Sequence, residues 1–191
     1  GETPRVWIYQ SFTVNDLIAY PNHQISAINA FFTQAAPTSM KIFVLKNGKI
    51  DYYRDVTDEE LAAVNIDGWT KFPLEEPYKF ETGNDYGFGY YCIHPKGKQI
   101  VGVDDSEGVS YKGCMVATAA PAEKFEESKF RGDFLDEYGY EGNTMLTADI
   151  QALGEVPPYE KIVGYDLYVN DKLVESDLTE RSYLYTSDEV G

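Results

Sequence analysis

Residues 66–104, IDGWTKFPLEEPYKFETGNDYGFGYYCIHPKGKQIVGVD, decide the fold class of this chain. They read as a Trp-led strand, a Pro-marked break between Leu74 and Tyr78, and a glycine-punctuated aromatic strand from Tyr86 to His94. A turn and a short apolar strand, Gln99 to Val103, follow. Nowhere in the stretch do apolar residues recur at the three- and four-residue spacing of an amphipathic helix. Tyr, Phe, Val and Ile favour a pleated, half-buried surface. The reading is therefore all-β, in the form of an antiparallel sandwich.

The flanking sequence agrees. Residues 5–13 alternate, with Val6, Ile8, Gln10 and Phe12 on one face and Trp7, Tyr9, Ser11 and Thr13 on the other. Gln24 to Thr33 is apolar on both faces, Ile25, Ala27 and Phe31 opposing Ile28, Ala30 and Phe32, so this strand is expected to lie centrally. Met40 to Lys46 and Lys49 to Tyr53 flank Asn47-Gly48, the pair that suits a two-residue turn needing positive φ at both positions. Thr57 and Glu60 have the spacing of a capping box at the head of a short helix over 57–64. Further strands are expected around Cys114 to Thr118, Phe134 to Tyr138 and Thr144 to Gln151, the last with Leu146, Ala148 and Ile150 on one side and Thr147 and Asp149 on the other. Pro121 to Arg131 reads as charged and irregular.

Gly154, Pro157 and Pro158 mark a linker, because consecutive prolines suit neither helix nor sheet interior. Beyond it lie three short strands, Ile162 to Asn170, Lys172 to Glu175 and Ser182 to Thr186. The expected organisation is a sandwich over 1–153 and a small β segment over 159–191.

Composition narrows the function. Aromatics make up 15% of 191 residues, with 16 tyrosines, a load that suits strands better than a helical bundle. The net charge is −16 and unevenly placed: residues 1–54 hold five basic and three acidic groups, residues 55–191 hold 11 basic and 29 acidic. Such a surface repels phosphate backbones and anionic lipid, which argues against nucleic-acid binding and membrane attachment. No stretch approaches the roughly 18 apolar residues of a membrane span, so no membrane insertion is expected. The opening GETPRVW lacks a basic-then-apolar leader. Gly1 reads as a tag-cleavage scar, so this start says nothing about localisation.

The order of elements resembles a known family. MKIFVLKNGKI, GWTKFPLEEPYKFETGNDYGFGYYCI, IVGVDDSEG and NTMLTADIQA are together similar to the jelly-roll sandwich domains of the cleaved-adhesin type, found in secreted haemagglutinins and proteases of anaerobic bacteria. IVGYDLYVNDKLVESDLTERSYLYT resembles the middle strands of a fibronectin type III-like module. The resemblance implies a jelly-roll-like sandwich with a short fibronectin-like β appendage, extracellular or at the cell surface, non-catalytic, and concerned with adhesion. Its partner would be a host or matrix protein, or a glycan, and family members have been linked to calcium.

Candidate sites follow from residue chemistry. Asp104, Asp105 and Glu107 share a turn, and clustered loop carboxylates could begin a calcium site, although Asp-rich turns also form for conformational reasons. Asn84 and Asp85 are a weaker version of the same pattern. Trp7 and Trp69, with Tyr52, Tyr53, Tyr90 and Tyr91, supply rings for a sugar-stacking platform. Adjacent strand residues face opposite ways, so one tyrosine of each pair at most belongs to any platform. Trp69 and Tyr90 are the ligand-binding candidates, and a core position for Trp69 is the competing reading.

Cys92 and Cys114 are either one disulfide or two buried thiols. With only His23 and His94 present, a three-His zinc site is impossible. A Cys92–His94 dyad is geometrically awkward for residues two apart on a strand, and neither GxSxG nor a P-loop occurs. Among 32 acidic residues chance carboxylate pairs are inevitable, so their presence argues nothing for a glycosidase. The expectation is a non-catalytic binding or adhesion domain, with a carbohydrate-binding module or an accessory domain of a secreted protease as alternatives.

Overall fold

The computed structural model describes residues 5–18, 20–109, 112–113, 115–118, 125, 133–135, 139, 141–154, 165–169 and 172–178. The chain divides into two compact units, Gly1–Val156 and Pro157–Gly191. The first contains β1 (Arg5–Phe12), α1 (Val14–Leu17), β2 (His23–Phe32), β3 (Ser39–Lys46), β4 (Lys49–Asp55), α2 (Asp58–Ala62), β5 (Gly68–Lys79), β6 (Tyr86–Ile93), β7 (Met115–Thr118), β8 (Asp133–Phe134) and β9 (Leu146–Ala152). A six-stranded sheet of order β4-β3-β6-β1-β7-β8 and a three-stranded sheet of order β5-β2-β9 pack as a sandwich. Every strand pair in both sheets is antiparallel. Among the described residues no helix is long and apolar enough to cross a membrane.

The sequence YGFGYYCI of β6 explains how the larger sheet holds together. Tyr86, Phe88, Tyr90 and Cys92 alternate onto the inner face and join the main core. They meet Ile28, Phe32 and Phe72 of the smaller sheet there, Phe32 lying 5.7 Å from Tyr90 between ring centres. The opposite phase begins with Gly87 and Gly89, which face the neighbouring strands at very close range. A Cβ added to Gly89 would sit 2.1 Å from the Ile8 carbonyl and 2.7 Å from Tyr9 Cβ, and one at Gly87 would sit 2.8 Å from the Gln10 carbonyl. The two glycines give Tyr9 and Leu45 room to lie across the outer face. A second cluster forms on that face from Trp7, Tyr9, Phe43, Leu45 and Tyr91, capped by Phe125, whose ring stacks on Trp7 at 4.7 Å.

Strand β2 is the central strand of the smaller sheet, as its two apolar faces require. Its facing differs from strict alternation in one respect. The pairing with β9 steps from Ile25↔Ile150 to Ala27↔Asp149, leaving Ser26 as an extra residue, a β-bulge. The bulge shifts the phase, so Ile25 joins Ile28, Ala30 and Phe32 in the core instead of opposing them. Along β5 the same point is wider: the register runs from Tyr78 to Pro73 while β2 moves only from Ile25 to Ala27. The Pro-marked break is therefore an irregularity within one 12-residue strand. Pro73 and Pro77 are tolerated because β5 is an edge strand with no second neighbour to supply.

Local signals elsewhere act as their chemistry requires. Asn47 and Gly48 have φ of 51° and 74°, closing the β3–β4 hairpin. Thr57 and Glu60 form the reciprocal capping box of α2, and a second box, Thr13 with Asp16, starts the single turn of α1. Glu60 has another duty. Its carboxylate binds Arg54 through two 2.8 Å hydrogen bonds, while Arg54 Nε and Nη2 also donate to the Pro73 carbonyl and Nη1 to that of Asp55. All five guanidinium donors are used, and the group joins an edge of one sheet to an edge of the other. Gln99 to Val103 is not a regular strand. It makes isolated bridges, Val101 with Phe32 and Val103 with Thr144.

The second unit holds β10 (Tyr165–Val169) and β11 (Lys172–Leu178), an antiparallel pair running from Tyr165↔Leu178 to Val169↔Lys172 with irregular register near Leu167. Cys114, the Pro157-Pro158 linker, nearly all of 121–131 and the strand expected at 182–186 lie outside the described residues. Cys92 is a free, buried thiol.

Two outcomes follow. Gly89→Ala is expected to cost roughly 1–3 kcal/mol, the range for overpacking a filled site, read as a lower urea midpoint at unchanged slope. His94 is buried, its Nε2 has no hydrogen-bond partner, and burial holds its pKa below the ordinary 6.5. The unfolded chain thus takes up the proton first, so this contribution to stability is whole above pH 6.5 and is lost as the pH falls from there through the lowered folded value. His94→Gln should flatten that part of a stability profile between mildly acidic and neutral pH.

Candidate functional site

The parity of β5 places Trp69. Phe72 and Leu74 are buried in the core, and Trp69 and Lys71 fall on the opposite phase, facing away from it. Trp69 is 45% exposed, against 2% for Trp7. The core reading of Trp69 is thus corrected. Its position in the pleat, three residues before Phe72, was the available signal.

Three rows of side chains make up this outward face. Trp69 pairs with Phe31, their rings perpendicular at 5.8 Å between centres. Next come Lys71, Asn29 and Thr147, and then Pro73, Ala27 and Asp149. Asp149 Oδ1 accepts from Asn29 Nδ2 at 2.7 Å and Oδ2 from Lys71 Nζ at 2.5 Å. Asn29 Nδ2 also donates to Thr147 Oγ1 at 3.3 Å. These bonds, the one from Lys71 foremost, hold the Asp149 carboxyl below its usual pKa, so it is ionised at neutral pH. An exposed indole thus stands beside a hydrogen-bonded polar cluster on a rigid sheet. Sequence reading placed Thr147 and Asp149 on the face opposite Leu146, yet it could not join them to Asn29 and Lys71 without the strand order.

Tyr90 is elsewhere. It lies on the inner phase of β6 at 1% exposure, its hydroxyl pKa raised well above the usual value by burial. Enclosed among Phe32 and its neighbours, it offers no ring face to a ligand, and its role is packing. Tyr91 lies in the outer cluster, so the two adjacent tyrosines do face opposite ways. Tyr53 is 40% exposed and sits 5.0 Å from Phe125, away from Trp69's sheet.

Asp104, Asp105 and Glu107 do not converge. Asp104 Oδ1 accepts from the Asn143 backbone N–H at 2.9 Å and from Ser106 Oγ at 2.8 Å. Those bonds, the Asn143 N–H foremost, lower its pKa. Asp104 ties its own turn to Asn143. Among the described residues no group of three or more His, Cys, Asp or Glu is placed to hold a metal ion. Asn84 and Asp85 likewise serve structure, Asn84 binding Asn47 and Asp85 receiving Val14 N–H. Burial pushes the Cys92 thiol far above its usual pKa, which leaves it protonated and unreactive.

A second surface feature is a groove of about 190 Å³ lined by Leu17, Pro21, Phe80 and Tyr86, with Val14, Ile18 and Tyr20 exposed along it. Comparison of the chain with protein-family models, curated proteins and solved structures finds no match.

The two tryptophans should separate in a stability experiment. Trp7→Ala removes a stacked core ring and is expected to cost about 3–5 kcal/mol, whereas Trp69→Ala should stay within about 0.5 kcal/mol, as for a surface site. Thermal melts of both variants check this, and iodide should quench the emission of Trp69 but not of Trp7.

Proposed function

We propose that this chain is a non-catalytic binding domain of a larger secreted or surface-attached protein, and that its ligand is a glycan held on the Trp69 face. The observation that carries this reading is the exposed indole beside Asn29, Lys71, Thr147 and Asp149. An aromatic face packs against the CH groups of a pyranose, while neighbouring amide, ammonium and carboxylate groups exchange hydrogen bonds with its hydroxyls. A sheet holds these groups more rigidly than a loop would. The resemblance to cleaved-adhesin-type domains with a fibronectin-like segment supports an extracellular setting and a recognition role.

A host or matrix protein as partner is the second reading. It is favoured by the groove beside α1, where Ile18 is 76% exposed and Tyr20 45%. The two readings involve different residues.

A glycan array followed by isothermal titration tests the first. Loss of an aromatic anchor typically costs at least about 2 kcal/mol, or roughly 30-fold in Kd. Trp69→Ala should therefore weaken glycan binding by that factor while Ile18→Ser leaves it unchanged. Equal binding by the Trp69→Ala chain would remove the reading.

A further inference from the structure

The charge arrangement around Trp69 says which glycans fit. In the three rows of the outward face the charged side chains are Lys71 and Asp149, and they are bonded to each other. Lys71, the cation that could receive a sulfate or carboxylate, already has a carboxylate on its Nζ. Asn29 spends its amide N–H groups on Asp149 and Thr147, and its carbonyl oxygen remains as an acceptor. The patch is formally neutral and dipolar, with both donors and acceptors. The chain as a whole carries a net charge of −16, which repels anions at long range.

Distances on the sheet match a sugar ring. Residues two apart on a strand stand about 7 Å from each other, and neighbouring strands about 4.8 Å. A pyranose stacked on Trp69 would therefore bring its outer hydroxyls over Lys71 and Asn29. Hydroxyls both donate and accept, so they can meet the Lys71 N–H groups, the Asn29 carbonyl and the Asp149 oxygens without any change of charge. A sulfate or uronate placed there would sit beside the Asp149 carboxylate, which already offsets the charge of Lys71.

We propose that the ligand of this face is an uncharged pyranose, a hexose unit without sulfate, carboxylate or phosphate, recognised by stacking on Trp69 and by hydroxyl contacts to Lys71, Asn29 and Asp149. The proposal rests on the glycan reading above and specifies its ligand class.

The test titrates the full chain with soluble neutral polysaccharides (a mannan, a galactan and a mixed-linkage glucan) and with anionic ones (heparin, polygalacturonate and a sialylated oligosaccharide). Each titration is run at low salt and at about 0.3 M salt, where exposed charges are largely screened beyond several ångström. The expected result is binding to a neutral probe, changed less than about twofold by salt. Trp69→Ala should weaken that binding roughly 30-fold. The charge-conserving double variant Lys71→Ala/Asp149→Ala should weaken it at least about tenfold, the worth of one lost hydrogen-bond set. Near-ultraviolet circular dichroism confirms that each variant keeps its core. Binding confined to anionic probes, collapsing with salt and lost in Trp69→Ala, overturns neutrality while leaving the glycan reading intact. Binding of no glycan, or neutral binding that Trp69→Ala does not weaken, overturns both.

Discussion

The large sheet exists because β6 can be bulky on one face and empty on the other. Tyr86, Phe88, Tyr90 and Cys92 fill the space between the sheets, and Gly87 and Gly89 let Tyr9 and Leu45 cross the outer side. Side chains at those two glycines would push β1 and β3 away from β6, and the backbone ladder on either side would open. The main core and the outer aromatic cluster are thus two consequences of one alternation. Both β1 and β3, placed beside it, must then be apolar on both faces, which is how Val6–Phe12 and Met40–Leu45 read.

The smaller sheet works by a different rule. One of its faces is committed to the core and the other is free to carry chemistry. Phe72 and Leu74 anchor β5 inward, and the pleat then dictates that Trp69 and Lys71 point out. Strand pairing brings Asn29 from β2 and Asp149 from β9 beside them. No single strand contains the cluster. A recognition surface assembled this way gains rigidity from the backbone ladder, so little conformational entropy remains to be lost when a ligand arrives.

Much of the fold was legible because its signals are local. Asn47-Gly48 specifies its hairpin by backbone sterics, Thr57 and Glu60 cap their helix within one turn, and the apolar faces of β2 announce a central strand. What escaped depended on partners distant in sequence. The proline-containing stretch of β5 looked like a break, since an edge strand cannot be told from an interrupted one until its neighbours are known. Gln99 to Val103 has strand composition yet makes only isolated bridges. Tyr90 is buried and Trp69 exposed for the same reason: each is an aromatic residue whose orientation rests on strand parity, and parity is set by the nearest firmly buried neighbour. The carboxylates at 104–107 were conspicuous in sequence, but that of Asp104 is spent on Asn143 and on its own turn. Apart from Lys71, the polar partners of Trp69 lie about 40 to 80 positions away along the chain, beyond any motif.

The extra residue at Ser26 works as a spatial frameshift. Below it, Ile25 is turned inward; above it, Asn29 and Phe31 are turned out. A uniform pleat would have forced a choice between drowning Ile25 in solvent and rotating Asn29 and Phe31 inside. The length of β2 therefore governs what the solvent side displays, independently of which side chains it contains. A homologue one residue shorter at this point would need a different alphabet on half the strand to keep the same interior, and its outward face would present other chemistry to the world.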